Sequence, residues 1–350
     1  MSDFWKNKKV FITGHSGFKG SWLCTWLLLE GAEVSGYSLR PNSFPSLFNL
    51  LSLEKKIKNY WDDIRDIENL KNALKIERPD IVFHLAAQPL VKKSYQDPRA
   101  TFSTNIQGTW NLFEAIRHTS SVKTVINITT DKVYKPLVER RALDEKDELG
   151  ANDPYSASKA CSEIISRSFH NSFLKELRVN SATARSGNVI GGGDWSDDRL
   201  VPDIIRAMTS KSELRIRNPG AVRPWQHVLD SINGYLILAK FLFSKSPPDF
   251  LSFNFAPRLE EDHSVNDLLE EAIKLNPSDF PRITIAHVAT FPEEDYIRLD
   301  SSLAQKTLGW NNRWNFETTV KQTFNWYNSY YLGEDPWNIT ISQINQFKKD

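Results

Sequence analysis

Tyr155 and Lys159 stand four residues apart in the run DPYSASKACSEII, which puts both on one face of a helix. An ammonium group beside a phenol favours the phenolate and lowers its pKa, so the tyrosine becomes a usable base for a hydroxyl proton near neutral pH. Thr130 closes the apolar run VINITT and can hydrogen-bond the same hydroxyl. Asp131 and Lys132 follow directly, a carboxyl group and a cation side by side. Taken singly, each has an ordinary explanation: a Tyr and a Lys at helical spacing as an exposed pair, an aspartate after a strand as a turn cap.

A second feature gives these residues a setting. Val10-Phe11-Ile12-Thr13 runs into Gly14-His15-Ser16-Gly17-Phe18-Lys19-Gly20 and then a helical stretch. Glycines at a strand-to-helix turn permit the tight bend, let the backbone approach a pyrophosphate and allow close helix–sheet packing, while the helix N-terminus offers N–H groups and a favourable dipole. The spacing is G-x-x-G-x-x-G rather than G-x-G-x-x-G, so the strand–turn–helix setting carries the dinucleotide reading more than the glycine count does. An acid about twenty residues further on would hold the adenosine ribose. The second strand instead ends Gly36-Tyr37-Ser38-Leu39-Arg40, with no carboxylate. Ser38 offers one weaker hydrogen bond, and Arg40 either meets a 2′-phosphate, favouring NADP, or is a solvated surface residue. NAD is the expected cofactor, with NADP as the alternative.

These groups need a scaffold. The first half alternates β-rich runs with helix-length segments: KKVFIT and then 21–30, AEVSGYSL, DIVFHLAA and then 101–118, VKTVINITT and then 153–173. Continuous apolar strands separated by helices are the sequence form of a parallel sheet covered on both faces, so an α/β fold with a Rossmann-type doubly wound sheet is predicted. After RVNSATARSGNVIGG the pattern loosens, with Gly191-Gly192-Gly193, Arg-rich segments, Pro247-Pro248 and short mixed elements such as SFNFAP. A dinucleotide-binding domain is placed over 1–180 and a smaller α/β substrate domain over 181–350, with segments near 225–250 returning to the first. Ser264 ahead of VNDLLEEAIKL, with Asp267 three residues on, predicts a helix N-cap with a capping-box variant. His84 lies in an apolar strand and reads as structural, while His227 stays open between core and site.

The glycine turn, the Tyr155–Lys159 pair and the length together resemble the extended branch of the short-chain dehydrogenase/reductase superfamily, over essentially the whole chain. Sugar epimerases and reductases of that fold usually carry small or apolar residues after the Ser/Thr, whereas its nucleotide-sugar 4,6-dehydratases carry an acid, as at Asp131. Members acting on dTDP-glucose have glutamate next. Lys132 stands there in this chain, which resembles the members acting on CDP-glucose, and GHSGFKGSW, LAAQPLV, RSGNVIGGGDW, DRLVPDIIRA and RNPGAVRPWQHVL point the same way.

The resemblance implies a lyase that removes water from CDP-glucose, with NAD as a temporary hydride store. Tyr155 would be the base at O4 with Thr130 and Lys159 beside it, and Asp131 the acid at the C6 hydroxyl. Lys132 would act at C5 either as a base or, the reading preferred here because Asp131 favours its ammonium form, as a charge that stabilises the enolate. Gly14, His15, Gly17, Phe18 and Gly20 would form the cofactor turn, Ser38 and Arg40 would meet the ribose, and Asp63 and Ile64 the adenine. Ala86, Ala87 and Gln88 would line the cofactor path, and Asn105 would organise active-site waters. Asn188, Arg199 and Arg223, with His227 as a further candidate, fall to the nucleotide diphosphate, since guanidinium forks match phosphate oxygens. The alternatives are a 4,6-dehydratase for another nucleotide sugar, a nucleotide-sugar 4-epimerase or reductase, and a non-catalytic dinucleotide-binding regulator.

Composition excludes other classes. Over 350 residues, 44 basic and 43 acidic side chains leave a formal charge of +1. No global field therefore recruits nucleic acid or a membrane, and anions must be held by local clusters. Cys24 and Cys161 sit in no metal-ligand spacing, which predicts neither a disulfide framework nor a metal and fits a reducing cytoplasm. The apolar run 22–29 is too short to span a bilayer. The resemblance adds a homodimer through helices of the first half, with a dimer of dimers left open, and a place in deoxysugar synthesis for lipopolysaccharide O-antigen.

Overall fold

A parallel sheet of seven strands forms the centre of the structure, a computed structural model that describes residues 3–245, 249–259, 262–285 and 294–350. Pro247-Pro248 lies outside the described residues. The strands are β1 (Lys9–Thr13), β2 (Glu33–Ser38), β3 (Lys58–Trp61), β4 (Ile81–His84), β5 (Thr124–Ile128), β6 (Asn180–Ser186) and an edge strand, Leu251–Phe255. Their order is edge–β6–β5–β4–β1–β2–β3, and every neighbouring pair is parallel. The order reverses between β1 and β4, so the carboxyl ends of those strands open onto the crevice where doubly wound sheets bind ligands.

The residues of β1 explain why it lies at the centre. Val10 and Ile12 belong to one core cluster and Phe11 to another, so alternate side chains serve the two faces and the strand needs no polar side. Helix Phe18–Leu29 packs against helix Val228–Lys245, which also touches β5 and β6; helix Gly108–Arg117 packs against both Ile67–Glu77 and Pro154–Phe169. The larger core cluster takes in Trp22, Trp26, Trp310 and Trp326, each fully buried. Trp22 Nε1 donates to Gly192 O and Trp326 Nε1 to Thr340 Oγ1, both at 3.0 Å, so these rings are packing units with their single polar atom satisfied.

Beyond β6, the described residues add three two-stranded ladders: Val189–Ile190 with Gln226–His227, Val222–Arg223 with His263–Ser264, and Leu214–Ile216 with Ile283–Ile285. Helices Val265–Leu275, Phe316–Tyr331 and Pro336–Lys349 accompany them, making a smaller α/β unit beside the sheet. The capping box is present: Ser264 Oγ accepts from Asp267 N while the Asp267 carboxylate accepts from Ser264 N. Among the described residues no helix is long and apolar enough to cross a membrane.

Among the described residues, one ion pair lies wholly in the interior. Arg185 of β6 donates from Nε and Nη2 to the two carboxylate oxygens of Glu163, each at 2.9 Å. Glu163 also accepts from the hydroxyls of Thr129 (2.5 Å) and Thr183 (2.6 Å), and Arg185 Nη1 donates to Tyr134 Oη at 2.8 Å. Glu163→Gln leaves a buried guanidinium without its countercharge and is expected to destabilise the fold by about 3–5 kcal/mol. Urea unfolding followed by circular dichroism measures this, and an unchanged midpoint would mean that water reaches Arg185.

Candidate active site

A cleft of about 640 Å³ opens at the carboxyl edge of the sheet and is lined by Thr130, Asp131, Lys132, Tyr155, Asn188, Arg199 and Arg223 among others. The Tyr155–Lys159 pair is set by a well-capped helix, Pro154–Phe169, in which Asp153 accepts from Ser156 N at 3.0 Å and Pro154 occupies the first turn. Tyr155 bonds to Thr130. Lys159, one turn on, donates from Nζ to Ile128 O at 2.8 Å. Its pKa is pushed down to about 8 by burial, with Glu163 opposing and Lys19 adding to the shift.

The tyrosine departs from the expectation. Burial pushes its pKa up to about 12; the bond to Thr130 and the Arg199 charge pull down, while Asp131 and Asp153 push up. Without ligands the phenol therefore holds its proton. The Lys159 ammonium, directed at a strand carbonyl, does not outweigh desolvation.

Asp131 occupies a distinctive position. Thr130 caps the short turn Asp131–Val133, accepting from Lys132 N at 3.3 Å, and its own hydroxyl donates to Asp131 Oδ1 at 2.8 Å. Asp131 is 3% exposed, yet its Oδ2 is buried with no hydrogen-bond partner among the described residues. Gly187 leaves room beside that oxygen, since a Cβ there would stand 3.2 Å from it. Lys132 is half-buried at the cleft wall.

On the cofactor side, Gly14 turns at φ +74°, where a Cβ would meet Ala86 N at 2.6 Å, and a Cβ on Gly20 would meet Gly14 O at 2.3 Å. Among the described residues, a Cβ on Gly17 would touch only Gly14 O, at 3.4 Å, and no side chain caps the helix that follows at Phe18. The turn thus keeps bare backbone and an uncapped helix start open to an anion, which fits a dinucleotide pyrophosphate. His15 turns its ring inward between Phe48 and Trp61, with Nε2 3.0 Å from Asn59 Oδ1 and Nδ1 3.1 Å from Ser38 Oγ. Burial pushes its pKa down to about 4, so it is a neutral brace and has only its backbone to offer a ligand. Ser38 reaches Ser16 Oγ at 2.9 Å, which places the end of β2 against the turn. Arg40 pairs with Glu54 at 3.1 Å and lies over Trp61, an occupied surface residue.

Other expected cofactor residues do structural work. Asp63 pairs with Arg65, and the Ile64 carbonyl accepts from Asn111 Nδ2 at 3.2 Å. Ala86 N is held by Thr13 Oγ1 at 3.3 Å, and Ala87 follows it in the same half-buried connection. Asn105, expected to organise waters, donates both amide hydrogens, to Gln88 O and Ser158 Oγ, and accepts from Gln88 N. It sits in a π-helical turn, Ser103–Gln107, and staples that turn to the segment after β4. Gln88 is likewise engaged with Leu90 and Thr101.

Of the residues expected at the diphosphate, Arg199 pairs with Asp194 at 2.9 Å, and Asp194 is held through its backbone by Tyr327, whose hydroxyl donates to Asp194 O at 2.6 Å and accepts from Asp194 N at 3.0 Å. Arg223 is buried and donates to Val222 O at 2.9 Å; Asn188 O accepts from Gln226 N at 3.1 Å. His227 is corrected. It is fully buried against Trp22 and Trp314, accepts from Leu229 N and does not line the cleft, and burial pushes its pKa down to about 3. His84 is structural as read, its Nδ1 2.7 Å from Thr13 Oγ1 and its Nε2 3.1 Å from Thr109 Oγ1. The sequence reading missed Lys19, which lines the cleft and whose pKa is pushed down to about 8 by burial. The available signal was a lysine set among Phe18, Gly20 and Trp22 at the start of a buried helix.

A glycine turn at the switch point of a parallel sheet, overlooked by a helix carrying Tyr155 and Lys159, defines the extended short-chain dehydrogenase/reductase class. Within it, residues 11–323 match the family described as GDP-mannose 4,6 dehydratase, and the chain belongs to that family. It is 41% identical over 351 residues to the CDP-glucose 4,6-dehydratase of Salmonella typhimurium, covering 99% of this chain and 97% of the relative. It is 27% identical over 335 residues to the dTDP-glucose 4,6-dehydratase of Xanthomonas campestris pv. campestris, covering 90% and 92%. Among solved structures, MoeE5 in complex with UDP-glucose and NAD is similar with a TM-score of 0.79 at 23% identity, over 92% of this chain and 99% of that one. An epimerase from Methanothermobacter thermautotrophicus is similar with a TM-score of 0.81 at 21% identity, over 94% and 95%. These structural likenesses show the shared fold.

The position of Ser38 generates a test of the cofactor side. A carboxylate there accepts stronger, charge-assisted hydrogen bonds from ribose hydroxyls and repels a 2′-phosphate, so Ser38→Asp should bind NAD about ten-fold more tightly and NADP more weakly. Calorimetric titration of both dinucleotides measures this, and unchanged NAD affinity would place the ribose elsewhere.

Proposed function

We propose that this chain is an NAD-dependent CDP-glucose 4,6-dehydratase, converting CDP-glucose to CDP-4-dehydro-6-deoxyglucose and water. The observation that carries the reading is Asp131, a buried carboxyl group at the cleft with one oxygen held by Thr130 and the other without a partner among the described residues. An epimerase needs no acid at that position, whereas elimination of the C6 hydroxyl does. Identity of 41% to the Salmonella enzyme over nearly the full length of both chains supports CDP-glucose as the sugar nucleotide. The open glycine turn, together with NAD in similar structures, supports the cofactor.

When bound, NAD accepts a hydride from sugar C4 and returns it to C6. The chain's own residues do the rest. Tyr155 receives the O4 proton; its phenol is high in pKa without ligands, and a cationic ring beside it would favour the phenolate. Once C4 is a carbonyl the C5 proton is acidic and passes to a base, the C6 hydroxyl leaves as water on taking a proton, and C5 is reprotonated when C6 receives the hydride. Asp131 supplies the proton to that hydroxyl, and Lys132 stabilises the enolate by charge. Arg199, Arg223 and Asn188 hold the diphosphate from the substrate half, 181–350, facing the cofactor half, 1–180. Exposed Phe102, Trp110 and Ile164 on neighbouring helices support a homodimer formed through that face. A cytoplasmic location and a role in deoxysugar synthesis go with the same reading.

Incubation with CDP-, dTDP-, UDP- and GDP-glucose, followed by mass spectrometry, tests the function. Loss of one water from CDP-glucose is the expected result; loss only from another nucleotide would move the chain to a different branch. Asp131→Asn should still oxidise C4 but lose roughly 100- to 10,000-fold in turnover, the usual contribution of a general acid. Reduced cofactor should then build up on the protein, visible by absorbance, and wild-type product formation would remove Asp131 from the mechanism.

A further inference from the structure

Lys19 has no part in the roles assigned above. It is the second residue of the helix that begins at Phe18, and its Nζ donates to Tyr235 Oη at 3.5 Å; that oxygen in turn lies 3.0 Å from Ser186 Oγ, at the end of β6. The side chain thus runs from the glycine turn towards the carboxyl end of β6, and it lines the cleft together with Thr130, Asp131, Tyr155 and Ser186. The charges acting on it are Arg199, Asp131 and Asp194, and it acts in turn on Lys159. Its ammonium is therefore among the groups of the reacting centre.

We propose that Lys19 is a cofactor-facing cation that favours the reduced form of the nicotinamide. The inference rests on the NAD reading above. In the first stage the sugar C4–H bond breaks with its electron pair, C4 is oxidised to a carbonyl, the O4 proton passes to Tyr155, and the nicotinamide ring is reduced and loses its positive charge. A fixed ammonium repels the charged ring and not the neutral one, so Lys19 lowers the cost of storing the electron pair. Lys159 carries the same sign of charge but is bonded to Ile128 O, and Arg199 is neutralised by Asp194, whereas the hydrogen bond of Lys19 is to a neutral phenol hydroxyl. The other task open to a lysine near a glycine turn, pairing with the pyrophosphate, would treat both redox forms alike.

Calorimetric titration with NAD and with NADH distinguishes these tasks. Wild type should bind NADH more tightly than NAD. Lys19→Met should lower the ratio of the NAD to the NADH dissociation constant by roughly ten-fold, the scale of one unit charge acting across several ångströms at intermediate dielectric. Lys19→Arg should preserve the ratio. Should Lys19→Met fail to fold by circular dichroism, Lys19→Gln, which keeps a donor to Tyr235, gives the same reading. Equal weakening of both dinucleotides in a folded neutral variant overturns the proposal and makes Lys19 a phosphate or packing cation. Wild type that binds neither dinucleotide overturns the cofactor reading, and this inference with it.

Discussion

Glu163 and Arg185 meet in the dry interior, and the geometry of the cleft above them hangs on that contact. Glu163 lies one turn beyond Lys159, which itself lies one turn beyond Tyr155, so anchoring the third residue to β6 fixes the helical phase of the other two. Thr129 ties the same carboxylate to the end of β5, one residue before Thr130. Through Nη1 the guanidinium reaches Tyr134, on the loop that carries Asp131 and Lys132. Removing two charges from water rarely adds net stability. What this pair supplies is position, because almost every polar group around it is engaged in a single arrangement.

The charges in the cleft then explain one another. Lys19 feels Arg199, Asp131 and Asp194, Arg199 pairs with Asp194, and Lys159 is set against Glu163. Burial lowers the lysines and raises the tyrosine, in each case favouring the neutral form, while the acids oppose this for the lysines. A protein with almost no net charge can in this way present a local excess of cation to an anionic ligand without attracting anions over its whole surface.

Much of this was legible in the residues themselves. Strands buried on both faces must be apolar throughout, so β1, β4 and β5 announced a parallel sheet, and a four-residue step on a helix brought Tyr155 and Lys159 to one side. Ser264 and Asp267 declared their cap by type and spacing. Quantities set by distant groups were not legible. The direction of the Tyr155 shift depends on burial, Asp131 and Arg199, which the chain order does not bring together. His227 is only four residues from Arg223, yet it packs between tryptophans from both ends of the chain while Arg223 lines the cleft. Asn105 and Gln88 have side chains suited to a ligand, but the Asn105 amide ties its π-helical turn to the Gln88 backbone and Ser158, and the Gln88 amide is engaged with Leu90 and Thr101. Lys19 escaped notice because the turn was read through its glycines.

The hold of Tyr327 on Asp194 joins residues 133 positions apart. During synthesis, β1 to β5, the glycine turn and the helix bearing Tyr155 emerge from the ribosome long before that tyrosine does. The nascent chain can therefore build the glycine turn and the Tyr155 helix while the loop that bears Asp194 still lacks its clamp. Asp194, and through it Arg199, takes its place only when the helix Phe316–Tyr331 has been made and docked. Order of manufacture thus separates the two halves of the cleft: one is local and early, the other waits for nearly the last helix of the chain.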